Sequence, residues 1–435
     1  AARPAGAGAG ATSGAGGGRP YRLVKMASRA EAMGAKCLDG TPGAFYILRA
    51  PEEHRPSGQW LIHLQGGGWC YDEPTCYNRT VEFGGTSSLA EDNQTAEQLG
   101  LQGLMSDNCS ENPTFCNFTS VLVTYCDGAS FSGNREKQVF YTPPSGERIG
   151  MYLRGRRILD AVLDTLMEDY GLDSARDVLV GGDHPRRRFL SPRPRVRFAP
   201  NSGFFLFHSN SQGEMVWQAQ MRYLYAMSNW TIEGNACVDQ FPPEKQWLCL
   251  FPQHAYPFIK ARTFVLNSAL DHYQVANFLG AEPLSGFPGK EAPSHSYLSG
   301  YNSSAAPGWA TCSGDDCDLH ACGVRQVEDM NAYMVSFKDA LRGARTFHQE
   351  GNGAFIYGCN DHNAEMNDVA YRTYRVRNTT MRDALAEWWR SDGGQPAARH
   401  RYVDGGRYAY PASVTDTSDA CLPWKDVSGG WQVFR

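Results

Sequence analysis

Three glycines and a tryptophan, Gly66 to Trp69, stand directly after the apolar run Trp60 to Leu64 (WLIHL). Acyl transfer needs backbone N–H donors aimed at a developing oxyanion, and glycines let the backbone approach that closely. A plain tight turn is the competing reading of such a run. Two titratable residues hold matching places further along. Asp271 comes four residues after FVLN (Phe264 to Asn267), and His362 comes four after AFIYG (Ala354 to Gly358). A third run, Val178 to Val180, enters Gly181 and Gly182, the lead-in to a sharp strand-to-helix turn that presents a serine nucleophile. The serine, expected directly after Asp183, is absent: HPRRRFLSPRPRVRF follows, and its prolines at 185, 192 and 194 oppose the helix such a turn must open. The order nucleophile position, Asp271 as acid and His362 as base is that of a catalytic triad with its nucleophile removed. Singly, an aspartate at a strand end is ordinarily a turn residue or helix cap, and a histidine a structural group. His63, His254 and His272 are read in that second way.

The elements that would hold these residues are legible as apolar runs. Ala44 to Leu48, Trp60 to Leu64, Val121 to Tyr125, Val178 to Val180, Phe264 to Asn267 and Ala354 to Gly358 are strand candidates. Tyr152 to Tyr170 reads as a helix with Ile158, Ala161, Val162, Thr165 and Leu166 on one face. Strand, helix, strand with glycine-rich turns at strand ends describes an α/β protein, in which active sites collect at the carboxyl ends of the strands. Structure is expected from Tyr21 onward, after a Gly/Ala-rich leader over residues 1–20, with residues 21–435 as a single domain. The polar stretch Tyr71 to Asn117 reads as a surface excursion pinned by cysteines, Tyr273 to Ala310 as loop, and the tail after Arg390 as irregular.

At 435 residues with a formal charge of −5, the chain has no basic face, which argues against nucleic acid or an anionic membrane as partner. No apolar run is long enough to span a bilayer. Thirteen cysteines scattered from Cys37 to Cys421 suggest disulfides, and seven Asn-x-Ser/Thr triplets (Asn78, Asn93, Asn108, Asn117, Asn229, Asn302, Asn378) agree with a secreted location. Cys312, Cys317 and Cys322 with His320 between them do not match close-paired zinc spacing, so disulfide pairing is preferred there. The arginine run Arg186 to Arg188 is read as a solvated loop.

In this order, LIHLQGGGWC, YCDGASFSG, YLRGRRILDAVLDTLM, NSGFFL, LCLFPQ, FVLNSALDHYQ and GAFIYGCNDH resemble the pectin acetylesterase and Notum family of serine carboxylesterases, over most of the chain. The resemblance implies an α/β-hydrolase-like, mostly parallel sheet flanked by helices, with disulfide-pinned surface loops. It also implies a secreted, cell-wall carboxylesterase acting on acetylated polysaccharide as a monomer, with no metal or cofactor. It assigns Asp271 as triad acid, His362 as base, and Gly67, Gly68 and Trp69 as oxyanion donors. The third glycine of GGGWC looks more like the polysaccharide branch; a Notum-like protein deacylase and a non-catalytic glycan-binding protein are the alternatives.

Three features depart from the pattern. The family's elbow Gly-x-Ser-Ala-Gly-Gly is replaced after Asp183, and the match resumes near Val196 about ten residues short. Asn363 stands where the family has cysteine after its base, and the cysteine count is odd. Ser130, Ser132 and Ser202 are poor substitutes for the nucleophile, Ser202 being read as a strand start. Loss of a segment from an active esterase and a true loss of catalysis are the two explanations, and the abrupt, arginine-rich replacement favours the first. Either way, absence of the elbow helix is expected to bare one face of the sheet.

Overall fold

The computed structural model describes residues 19–81, 84–182, 195–230, 236–282, 308–313, 318–391, 394, 396–413, 416–417 and 421. Nine strands form one sheet, in the order β1 (Arg22–Lys25), β2 (Ala44–Leu48), β4 (Thr119–Val123), β3 (Gln59–Leu64), β7 (Asp177–Gly181), β8 (Arg195–Ala199), β9 (Arg262–Ser268), β10 (Gly353–Tyr357) and β13 (Arg401–Val403). The hairpins β5–β6 (Val139–Tyr141 and Ile149–Met151) and β11–β12 (Arg375–Val376 and Thr379–Thr380) lie apart from it. The edge pairings β1–β2 and β2–β4 are antiparallel and every other pairing in the large sheet is parallel.

The expected apolar runs all become strands within a residue or two, because a parallel sheet covered on both faces takes continuous apolar sequence. The β7 residues Val178, Leu179 and Val180 are at most 1% exposed, so β7 itself is not bared on either face. On one side Val178 and Val180 cluster with Ile158, Leu159, Val162 and Leu166 of helix Gly155–Tyr170. On the other, Leu179 clusters with Phe118, Leu104 and Trp388. The helix begins at Gly155 rather than Tyr152, since Met151 pairs with Val139 and the Tyr152 N–H donates to Leu38 O.

The stretch from Tyr71 to Asn117 is not a mere surface excursion. Leu99, Leu101, Leu104, Met105 and Phe115 are buried in the cluster that covers β3 and β4. Cysteine pinning does hold there, through Cys70–Cys76 and Cys109–Cys116. Three strands of the large sheet are not legible in the sequence, the first being the polar edge strand β1. β8 contains Arg195 and Arg197, and β13 is the short, half-buried edge strand Arg-Tyr-Val within a tail whose sequence reads as irregular. Ser202 follows the end of β8 instead of opening a strand.

Residues 1–18 of the expected leader lie outside the described residues; Arg19 already donates through its side chain to Arg49 O at 2.9 Å. Residues 183–194, which hold Asp183 and the arginine run, also lie outside them, as do Cys317 and Asn302. Six disulfides join twelve of the thirteen cysteines, among them Cys312–Cys322, the pair in the cysteine-rich segment. Among the described residues no helix is long and apolar enough to cross a membrane.

Candidate functional site

β9 and β10 run side by side and parallel, so the loops leaving their carboxyl ends start as neighbours. Asp271 and His362, 91 positions apart, meet there: His362 Nδ1 donates to Asp271 Oδ2 at 2.8 Å. That bond fixes the tautomer and leaves Nε2 as an acceptor. Asp271 is fully buried, and its other oxygen accepts from Gln274 N at 3.0 Å as the cap of the short helix His272–Gln274. The carboxylate is thus held by a backbone N–H on one side and the imidazole on the other.

The Gly67–Trp69 loop leaves β3, and its orientation is set by two donors that the sequence did not point to. The Tyr125 hydroxyl donates to Gly68 O at 2.6 Å, and the buried Arg79 guanidinium donates to Gly67 O. In a trans peptide the next residue's N–H points opposite the carbonyl. The N–H groups of Gly68 and Trp69 therefore face away from Arg79 and Tyr125. Among the described residues the N–H groups of Gly67, Gly68 and Trp69 find no acceptor. Gly68 has φ of +68°, and a Cβ there would sit 3.1 Å from the Tyr273 hydroxyl, so glycine suits the position on both counts. Cys70, bonded to Cys76 and donating to Gly128 O at 3.0 Å, anchors the loop's far end.

Aromatic rings join loop to dyad. Tyr273 stacks on His362 with centroids 5.4 Å apart and meets Trp69 edge-on at 6.0 Å; Phe205 lies 4.9 Å from Trp69 and 6.4 Å from His362. Trp69 itself is buried. His63 and His272 are buried as well, and desolvation lowers their pKa values to about 4 and about 3, so both are neutral near pH 7.

Beneath the dyad runs a network that sequence reasoning missed. Gly182 N donates to Asn201 Oδ1 at 2.6 Å, and Asn201 Nδ2 donates to Glu365 Oε1 at 2.7 Å. The Ser202 hydroxyl accepts from Asn363 N at 2.8 Å, with Ser202 at φ +47° and Asn363 at +62°. The end of β7 is thereby tied to the loop carrying His362. Asp361 and Glu365 flank His362; burial pushes their carboxyls up to about 8 and about 7. Only the asparagine and serine of NSGFFL hinted at these contacts.

The profile of the pectinacetylesterase family matches residues 20–286. The chain belongs to the pectinacetylesterase family. It is similar to pectin acetylesterase 5 of Arabidopsis thaliana, 27% identical over 390 residues, covering 84% of this chain and 80% of that one. Pectin acetylesterase 11 of the same plant is 27% identical over 377 residues, with 83% and 85% covered. The palmitoleoyl-protein carboxylesterase NOTUM of Homo sapiens is 24% identical over 260 residues, covering 55% of this chain and 49% of that protein. Pectinacetylesterases and these carboxylesterases are carboxylic ester hydrolases, and the nine-stranded, mostly parallel sheet flanked by helices is of the α/β-hydrolase-like kind.

Proposed function

We propose that this pectinacetylesterase is a secreted enzyme of the pectin acetylesterase type, removing acetyl groups from cell-wall polysaccharide. The observation that carries the proposal is the 2.8 Å contact of His362 with buried Asp271, in a chain that aligns with pectin acetylesterases over more than four fifths of its length. In this reading His362 takes the nucleophile's proton through Nε2 and returns it to the leaving sugar hydroxyl, while Asp271 stabilises the imidazolium. Gly68 and Trp69, with Gly67, supply N–H donors to the oxyanion; each such donor is worth about 10²–10³ in kcat. The acetyl-serine then reacts with water under the same base to release acetate.

The chain as it stands has His184 in the serine's place, which leaves only attack of water assisted by His362; losing a triad nucleophile lowers kcat by roughly 10⁶. A parallel crossover needs about a dozen residues and usually carries a helix. Residues 182–194 are the whole connection between adjacent parallel β7 and β8, close to the lower limit for one. This supports removal of a segment from an active esterase. Sequencing the mature transcript across the codons for Val180 to Val196 tests it. An elbow such as Gly-Asp-Ser-Ala-Gly-Gly makes the protein an ordinary esterase. DHPRRRFL as written favours the second reading, a glycan-binding protein that keeps the cleft without turnover.

Secretion draws support from the six disulfides and from the exposure of Asn78, Asn93, Asn108, Asn229 and Asn378, all glycosylation triplets. The longer alignment with pectin acetylesterases than with NOTUM favours acetylated polysaccharide over a lipidated protein as substrate.

A further inference from the structure

Asp271 and Gln274 occupy the cap and third positions of the short helix His272–Gln274. At that spacing a glutamine side chain ordinarily bends back onto the cap's own N–H and closes a reciprocal pair. Here the Gln274 N–H donates to Asp271 Oδ1 at 3.0 Å, but the side chain turns to other parts of the molecule. Its Oε1 accepts from Leu206 N and from the Tyr333 hydroxyl, both at 2.8 Å, and its Nε2 donates to Phe204 O at 3.3 Å. Gln274 and Tyr333 are both fully buried.

Phe204 and Leu206 belong to the segment that follows β8 and lie in no strand, so their backbone groups have no ladder to join. The Gln274 amide supplies a partner to each. Its orientation is fixed by the chemistry, since an N–H and an O–H face its oxygen and a carbonyl faces its nitrogen. Between the two bonded residues stands Phe205, whose ring bears on both the base and the oxyanion loop, 6.4 Å from His362 and 4.9 Å from Trp69. Gln274 thus reaches the triad acid through its main chain and, through its side chain, a ring packed against the base. Tyr333, on helix Val324–Gly343, braces the same amide from a third element. A glutamine that only matched two loop groups would serve the fold alone. Its bond to the carboxylate that accepts from His362 makes Gln274 part of the support of the dyad.

We propose that Gln274 is a positioning residue for ester hydrolysis: it fixes the Asp271 carboxylate and Phe205 relative to one another and so sets the line of the Asp271–His362 hydrogen bond. The proposal rests on the reading of Asp271 and His362 as acid and base. An acid–base pair held in one geometry reaches the transition state without a further loss of freedom, and a displacement of about 1 Å costs up to about 10²-fold in rate.

Proton NMR of the full chain as it stands reads that bond. A ring N–H donated to a carboxylate resonates downfield of the amide protons, and His362→Ala identifies its signal. Gln274→Met removes the amide at similar length, and Gln274→Asn keeps an amide one carbon too short to span Phe204 O and Leu206 N. Tyr333→Phe removes a hydroxyl from the same buried place while the bonds of Gln274 to Phe204 and Leu206 remain. A merely structural glutamine predicts a lowered unfolding temperature and an unmoved signal in every variant. The expected result is loss or upfield displacement of the signal in the two Gln274 variants and its retention in Tyr333→Phe. A signal that stays in place in either folded Gln274 variant, or that Tyr333→Phe abolishes as well, overturns the positioning role and leaves the dyad standing. Absence of a His362-dependent signal from the parent removes the dyad, and the positioning role with it.

Discussion

Asp361 and Glu365 are protonated more readily than ordinary carboxyls because burial penalises their charged forms, raising them to about 8 and about 7. A carboxyl raised in the folded state contributes stability that is full below the unfolded value of about 4 and is lost as pH rises through the folded value. His63 and His272, lowered to about 4 and about 3, act oppositely: their contribution is present above about 6.5 and is lost as pH falls through their folded values. Asp361→Asn removes one raised group. Its unfolding temperature is therefore expected to rise relative to the parent by about 2 °C or more between pH 5 and pH 8. Scanning calorimetry at several pH values checks this, and a gap that does not change with pH would contradict it. At this scale the sequence was most readable where a polar residue sits at a fixed offset from an apolar strand, as Asp271 and His362 do. Arg79 and Tyr125 carry no such signal. Each acts through one bond to a carbonyl of the glycine loop, a contact that only the folded chain creates.

The loop after β3, the end of β7, the start of the segment after β8 and the loop after β10 that carries His362 are separate elements that must keep register for the proposed chemistry. Asn201 joins two of them by its bonds to Gly182 N and Glu365 Oε1, and Ser202 joins a third contact through Asn363 N. Asn201→Ala leaves a buried N–H and a buried carboxyl unmatched, for a loss of about 2–5 kcal/mol. A urea titration should show the midpoint lowered accordingly, and an unchanged midpoint would mean that the network does not tie these elements together. Buried strands were legible because their apolar residues run on without alternation. β8 was not, because the arginine that interrupts it is accommodated: Arg197 lies over the Trp389 ring at 4.4 Å and donates to Trp389 O. The core role of the Tyr71–Asn117 stretch is hidden in the sequence for a related reason. Its apolar residues are spread singly among polar ones and converge on the core only after the chain folds back over β3 and β4.

Across the whole molecule, two of the disulfides join residues far apart in sequence, and the other four close loops of 6 to 12 residues. Cys37–Cys126 closes a separation of 89 residues and holds the segment before β2 against the turn after β4. By loop-closure entropy such a bond is worth about 4–5 kcal/mol, so a Cys37→Ser, Cys126→Ser variant should unfold at clearly lower denaturant than the parent. An identical midpoint for the variant and the parent would mean the bond adds nothing. The parallel pairing of β3 with β7 and of β9 with β10 brings the glycine loop, the end of β7 at Gly182 and the loop carrying His362 to the carboxyl-end side of the sheet. That common side is why three short motifs, far apart in sequence, can form one site. The most direct test of that site is acetate release from acetylated pectin by a chain carrying a Gly-Asp-Ser-Ala-Gly-Gly elbow and its helix between Gly181 and Val196, alongside the same chain with His362→Ala. Release by the first, reduced roughly 10³-fold or more in the second, is the predicted result. Absence of release from any acetyl ester, or equal rates with and without His362, would contradict it.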